Sequence, residues 1–213
     1  MMFTGFPDET FEFFEGLAAD NSRSYWQANK HVYDACVAGP LRALFGELEE
    51  EFGEAKLFRP YRDVRFAKDK SPYKTHLGGL VDGYYFGVDA GGITCAGGFS
   101  AQEPDRLARY RAAVTAPASG LALEEILAAL TAEGLRIEHF DAVKTRPRGV
   151  PADHPRVDLM RYKMMYCGTG WPPEDWVTTA EAADRVRATW RLLTPLVTWG
   201  RTHLGDPEGK RFG

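Results

Sequence analysis

The stretch Leu77–Ser100 limits the fold more than any other part of the chain. It reads Leu-Gly-Gly-Leu-Val, then Tyr84-Tyr85-Phe86-Gly87-Val88, then Ala90-Gly91-Gly92, then Ile93-Thr94-Cys95. β-Branched and aromatic residues favour a pleated backbone, and repeated glycines disfavour a helix. Leu77–Asp89 therefore predicts a strand region, Ala90-Gly91-Gly92 a turn, and Ile93–Ser100 a returning strand. Helical periodicity appears on both sides of this hairpin. Helices, then strands, then helices again predict an α+β fold, with a mostly antiparallel sheet packed by N-terminal and C-terminal helices.

Pro7, with Asp8 and Glu9 behind it, predicts a first helix through Asp20. Asn21 is expected to cap a second helix that carries Trp26 and Tyr33 and stops at Gly39-Pro40. Pro40 is expected to open a third, which Gly53 ends. Leu57–Phe66 reads as a strand, with Pro60 marking an edge or bulge. Beyond the hairpin, helices are expected near 104–116 and 121–133, short strands at Leu135–His139 and Lys163–Cys167, and a short helix capped by Asp153. Thr178–Glu181 reads as a capping box for the last helix, which Pro195 should kink or divide. No linker or repeat divides the sequence, so one domain over 1–204 with a loose tail at 205–213 is expected.

The net charge of −4 conceals two basic segments. Residues 56–76 carry seven Lys or Arg against Asp63 and Asp69, and residues 141–163 carry six against three Asp. The remainder is acidic, which suits a local anion site better than a coat for long nucleic acid. The first segment contains Tyr61-Arg62-Asp63-Val64-Arg65-Phe66 and then Lys68, Lys70, Pro72, Tyr73, Lys74 and His76. Asp63 can hold Arg65 as a fixed fork, and a fixed guanidinium matches a phosphate or carboxylate. Arg146 and Arg148, around Pro147, form a second cationic turn.

The candidate ligand-binding set is thus Arg62, Asp63, Arg65, Lys70, Tyr73, Lys74, His76, Arg146 and Arg148. The expected ligand is a phosphate- or carboxylate-bearing small molecule. Two alternatives stand beside it. One is a nucleic-acid module in which Tyr61, Phe66 or Tyr73 stacks on bases. The other is a non-enzymatic structural or partner-binding domain, whose arginines pair with its own carboxylates. His76 is the histidine to test as a general acid or base. No nucleophile motif is present, so no reaction and no cofactor are assigned. The histidines lack metal-ligand spacing, and no metal is expected. Three scattered cysteines argue against a disulfide framework. With no secretory pattern at Met1–Pro7 and no long apolar run, a cytoplasmic location is expected.

Four segments carry a family likeness. They are Phe3-Thr-Gly-Phe-Pro7, Asn21 through Trp26 to Tyr33, Tyr61 through His76, and Lys144–Gly149 with Asp153-His154-Pro155. In these the chain resembles the domain of unknown function 2461 family. The resemblance implies one domain of conserved architecture and carries no reaction with it.

Overall fold

The computed structural model describes residues 2–65 and 68–205. The fold is α+β. Among the described residues the strands form one sheet in the order β1-β2-β3-β4-β6-β5. Within it β1–β2, β2–β3 and β5–β6 pair antiparallel. The chain divides into two compact units, residues 1–95 with 170–190, and 96–169 with 191–213.

In the first unit, α1 spans Asp8–Ala19 behind the N-cap Pro7. Then α2 (Arg23–Val32), a π-helical turn (Tyr33–Ala38) and α3 (Gly39–Phe52) run without a break. Gly39-Pro40 was expected to separate two helices, and it does not. Pro40 brings no N–H, and its ring would crowd the carbonyl four residues back, that of Cys36. The wider π turn relieves this crowding. The buried hydroxyl of Thr10 supplies a donor instead, at 2.5 Å from the Cys36 carbonyl. Gly53 ends α3 as expected, with φ of 102°.

Strands β1 (Lys56–Leu57), β2 (His76–Val81), β3 (Tyr84–Asp89) and the start of β4 (Gly92–Ser100) follow. The region expected as one strand at 77–89 is itself a hairpin. Asp82 and Gly83 turn it, both with positive φ, at 40° and 98°. That is the backbone an Asp-Gly hairpin turn provides. One face of β2 and β3 presents Leu77, Val81, Tyr84, Phe86 and Val88 to the core. Phe86 stacks on Phe6 with centroids 5.6 Å apart, and Trp190 packs on Phe52 and Tyr84 at 5.2 and 5.3 Å.

In the second unit, α4 (Pro104–Thr115) and α5 (Pro117–Ala132) accompany β5 (Arg136–Phe140) and most of β6 (Met164–Trp171). Phe99, Tyr110 and Trp199 form its aromatic core, with Phe99 5.5 Å from Tyr110 and 5.3 Å from Trp199. The short helix expected after Asp153 appears as turns and a 3-10 turn at Leu159–Arg161. The last helix, α6 (Glu181–Leu204), runs through Pro195 undivided. At its start the Thr179 hydroxyl, rather than Thr178, accepts the Glu181 N–H. The tail expected at 205–213 lies outside the described residues beyond Gly205.

Thr10→Val keeps the shape of this site but leaves the Cys36 carbonyl without its donor. It is expected to cost about 1–3 kcal/mol in urea unfolding, with an unchanged m-value.

Candidate functional site

Over the described residues 58–65 the strand expected at 57–66 does not form. Lys56 and Leu57 pair with Leu80 and Gly79, and the Phe58 N–H reaches the Gly78 carbonyl at 2.8 Å. Pro60 has no N–H to continue the ladder, and the chain leaves the sheet there. It returns at an isolated bridge between Tyr61 and Tyr73. The Arg62 N–H donates to the Pro72 carbonyl at 2.9 Å, and the Lys74 N–H to the Pro60 carbonyl at 2.7 Å. Residues 61–65 and 68–73 therefore belong to a loop with pinned ends. The expected alternation of polar and apolar faces does not apply along 61–65, and Phe66 lies outside the described residues.

Three of the predicted cations are engaged inside this loop. The Arg65 guanidinium forks onto Asp63, with contacts of 2.9, 3.2 and 2.6 Å. Arg62 pairs with Asp69, which also accepts from the Ser71 N–H at 2.8 Å and from its hydroxyl at 2.6 Å. The Lys70 ammonium donates to the Val64 carbonyl at 3.0 Å. Hydrogen bonds from Arg65 hold the Asp63 carboxyl at about 2. Those from Ser71, followed by Arg62, hold Asp69 at about 2 as well.

The loop is fastened to the helices through Tyr73. The Tyr73 N–H donates to Asn21 Oδ1, and Asn21 Nδ2 donates to the Tyr73 carbonyl, both at 3.0 Å. Asn21 was expected to cap α2, but Ser22 does so, accepting the Tyr25 N–H at 3.1 Å. The buried Tyr73 ring stacks on Trp26, with centroids 4.4 Å apart and planes 8° from parallel. Tyr33 packs on Trp26 at 4.8 Å, and its burial pushes the phenol up to about 12. Arg23, Trp26, Gln27, Lys30, Tyr61 and Tyr73 line an open cleft of about 420 Å³.

Lys74 and His76 lie on the other side of Tyr73. The Lys74 ammonium sits 5.4 Å from the Phe58 ring centre, half-buried. Among the described residues it has no carboxylate within 4.0 Å. Burial first, and then the Arg59 charge, push it below the ordinary ammonium range. His76 stands opposite Asp89 in the β2–β3 register. Partial desolvation, then Lys74, push its imidazole down; Asp89 opposes this and Arg62 adds to it. Tyr85 shares this strand face. A Cβ on Gly87 would lie 2.3 Å from the Tyr85 hydroxyl, so only glycine lets that ring lie flat along the strand.

The second basic segment belongs to the other unit and is organised by its own contacts. Arg161 donates to the carbonyls of Val143 and Lys144 at 3.2 and 3.1 Å, and Lys163 pairs with Asp141 at 3.0 Å. Arg156 reaches Val114 O at 2.8 Å and Glu124 at 3.2 Å. Arg146 donates to the Val150 carbonyl, while Arg148 is exposed with no partner among the described residues. Arg106 is buried and fastens the carbonyls of Ser100 and Gly205, so it is structural. Burial pushes the Cys95 and Cys167 thiols up, away from reactivity. Among the described residues no cluster of His, Cys, Asp and Glu could hold a metal ion. No single helix there is long and apolar enough to cross a membrane.

Sequence reasoning missed Asn21, Arg23, Gln27 and Phe58 as parts of these surfaces. A signal existed for two of them. Arg23, Gln27 and Lys30 follow the helical spacing of one face.

The profile of a family described as Conserved hypothetical protein (DUF2461) matches residues 9–199, and the chain belongs to that family. No curated protein matches it.

The loop carboxyls give a direct check. Carbon-detected NMR titration should find Asp63 and Asp69 ionised well below the ordinary 3.8, with midpoints at about 2. Both carboxyls are depressed, so the loop ion pairs are complete above pH 3.8 and are lost as pH falls towards that midpoint. Arg65→Gln should return Asp63 towards its ordinary value and leave Asp69 in place.

Proposed function

We propose that the first unit binds a small phosphate- or carboxylate-bearing molecule where Lys74 and His76 meet the Phe58–Tyr85 strand face. The observation that carries this reading is Lys74. It is a half-buried ammonium with no carboxylate beside it among the described residues, near Arg59, with its positive form disfavoured. A partly desolvated cation with a second positive charge beside it is completed by an anion. Arg62 and Arg65 differ, because Asp69 and Asp63 already balance them. Their part in the reading is to hold the loop. Tyr73 likewise supports from behind rather than touching the ligand. Arg146 and Arg148 are not needed for it. The three free cysteines, two of them buried, suit a reducing compartment, and we place the protein in the cytoplasm on that ground.

Chemical-shift titration with inorganic phosphate, and separately with a dicarboxylate, tests the proposal. Saturable shifts are expected at Lys74 and His76 for at least one of them. At about 100 times its dissociation constant that ligand should stabilise the fold by about 2.7 kcal/mol. Lys74→Gln should weaken binding by about tenfold or more. Bound anion raises the depressed imidazole, so affinity should strengthen as pH falls below the ordinary value of 6.5. Binding indifferent to Lys74→Gln, or no shift from either anion, would refute the site.

A further inference from the structure

The open cleft on α2 is a different surface. Tyr73 and Lys74 are neighbours on extended backbone, and their side chains go opposite ways. Tyr73 packs inward on Trp26, and Lys74 lies over Phe58. What the cleft displays is Tyr61. The residue is 56% exposed, a large aromatic left open to water. Its backbone is nevertheless held, by the two hydrogen bonds that make its bridge to Tyr73. The ring rests 5.5 Å from Tyr73 and 6.0 Å from Trp26. A held, exposed ring is a platform prepared for stacking, because its position is fixed before a ligand arrives.

The rim adds directed polarity. Arg23, Gln27 and Lys30 come from one face of α2 and line the cleft with Tyr61. Lys30 is paired with Asp34, a residue of the π-helical turn. Arg23 is exposed and has no partner among the described residues. Gln27 offers an amide that can donate and accept at once. Helices that widen into a π turn do so often beside functional sites. Here the turn places both Tyr33, against Trp26, and Asp34, against Lys30.

We propose that this cleft binds a nucleotide, with its base on the Tyr61 ring, the base edge at Gln27 and the phosphate on Arg23. The volume of about 420 Å³ is within the range of small-molecule pockets, and aromatic stacking with an arginine on phosphate is the chemistry that recognises base and backbone together. A free mononucleotide and one unit of a single strand present the same groups.

Calorimetric titration of the full chain with adenosine monophosphate, adenosine and inorganic phosphate tests this. The monophosphate is expected to bind about tenfold more tightly than either fragment. Tyr61→Ala should weaken it by about tenfold or more, while Tyr61→Phe, which keeps the ring, retains it. Arg23→Gln should lower the monophosphate to the level of adenosine. The titrations are run in parallel in Lys74→Gln, where the anion site above is disabled; the monophosphate should still bind the cleft there, which separates the two sites. An eight-nucleotide single strand distinguishes the sources. Tighter binding that falls steeply with salt identifies a strand, and no gain over the monophosphate identifies the free nucleotide. Failure of both the monophosphate and the strand to bind, or unchanged affinity in Tyr61→Ala, would overturn the proposal.

Discussion

The side chain of Asn21 holds both backbone groups of Tyr73, giving one hydrogen bond and receiving the other. An amide side chain used this way acts as one residue of strand edge. Without it the Tyr73 N–H and carbonyl would need water inside a region that aromatic rings close. With it, three things are placed together. The Tyr73 ring is set flat on Trp26, the return of the loop is fixed opposite Tyr61, and Lys74 is turned outward over Phe58. Both candidate surfaces of the first unit hang on this one pair of hydrogen bonds. The energetic logic is that of a buried polar group. The pair adds modest net stability while present, and its loss strands two backbone groups.

The charges of residues 56–76 sort into two kinds once the loop is closed. Arg62 and Arg65 have carboxylates of their own within the loop, and they determine its shape. Exposed pairs of this kind contribute little to global stability. Lys74 and His76 have the opposite arrangement, with positive neighbours and partial removal of water. The same segment thus contains cations balanced by carboxylates of the loop and a half-buried lysine with no carboxylate beside it among the described residues. Counting Lys and Arg cannot separate them, because the distinction rests on which carboxylates fold back.

Much of the fold was legible in the sequence. Pro7, Gly53 and the apolar stripes marked helix ends and faces, and the glycine-rich centre gave antiparallel strands. Of three misreadings, one is a local signal that a tertiary contact overrides, and two are local signals that a neighbouring strand-like texture hid. Gly39-Pro40 looked like a break, but Thr10 from a helix far off in sequence serves the Cys36 carbonyl and lets the chain continue. Val64 and Phe66 gave a strand-like texture to a segment that Pro60 had already released from the sheet. Asp82-Gly83 is a strong hairpin signal hidden inside what read as a single strand. The site was legible in part. The fork of Asp63 on Arg65 follows from their spacing. The clamp from Asn21, 52 positions away from Tyr73, does not, and no local rule would have paired them.

Amide hydrogen exchange measures the clamp most directly. In the wild type the amides of Arg62, Tyr73 and Lys74 should be protected well beyond those of Lys68–Ser71. In Asn21→Ala the Tyr73 amide, and with it the two amides of the Tyr61–Tyr73 bridge, should exchange at least about tenfold faster while β2 and β3 keep their protection. If those three amides exchanged equally slowly in both proteins, the Asn21–Tyr73 pair would not be what holds the loop, and the account of both surfaces would fail with it.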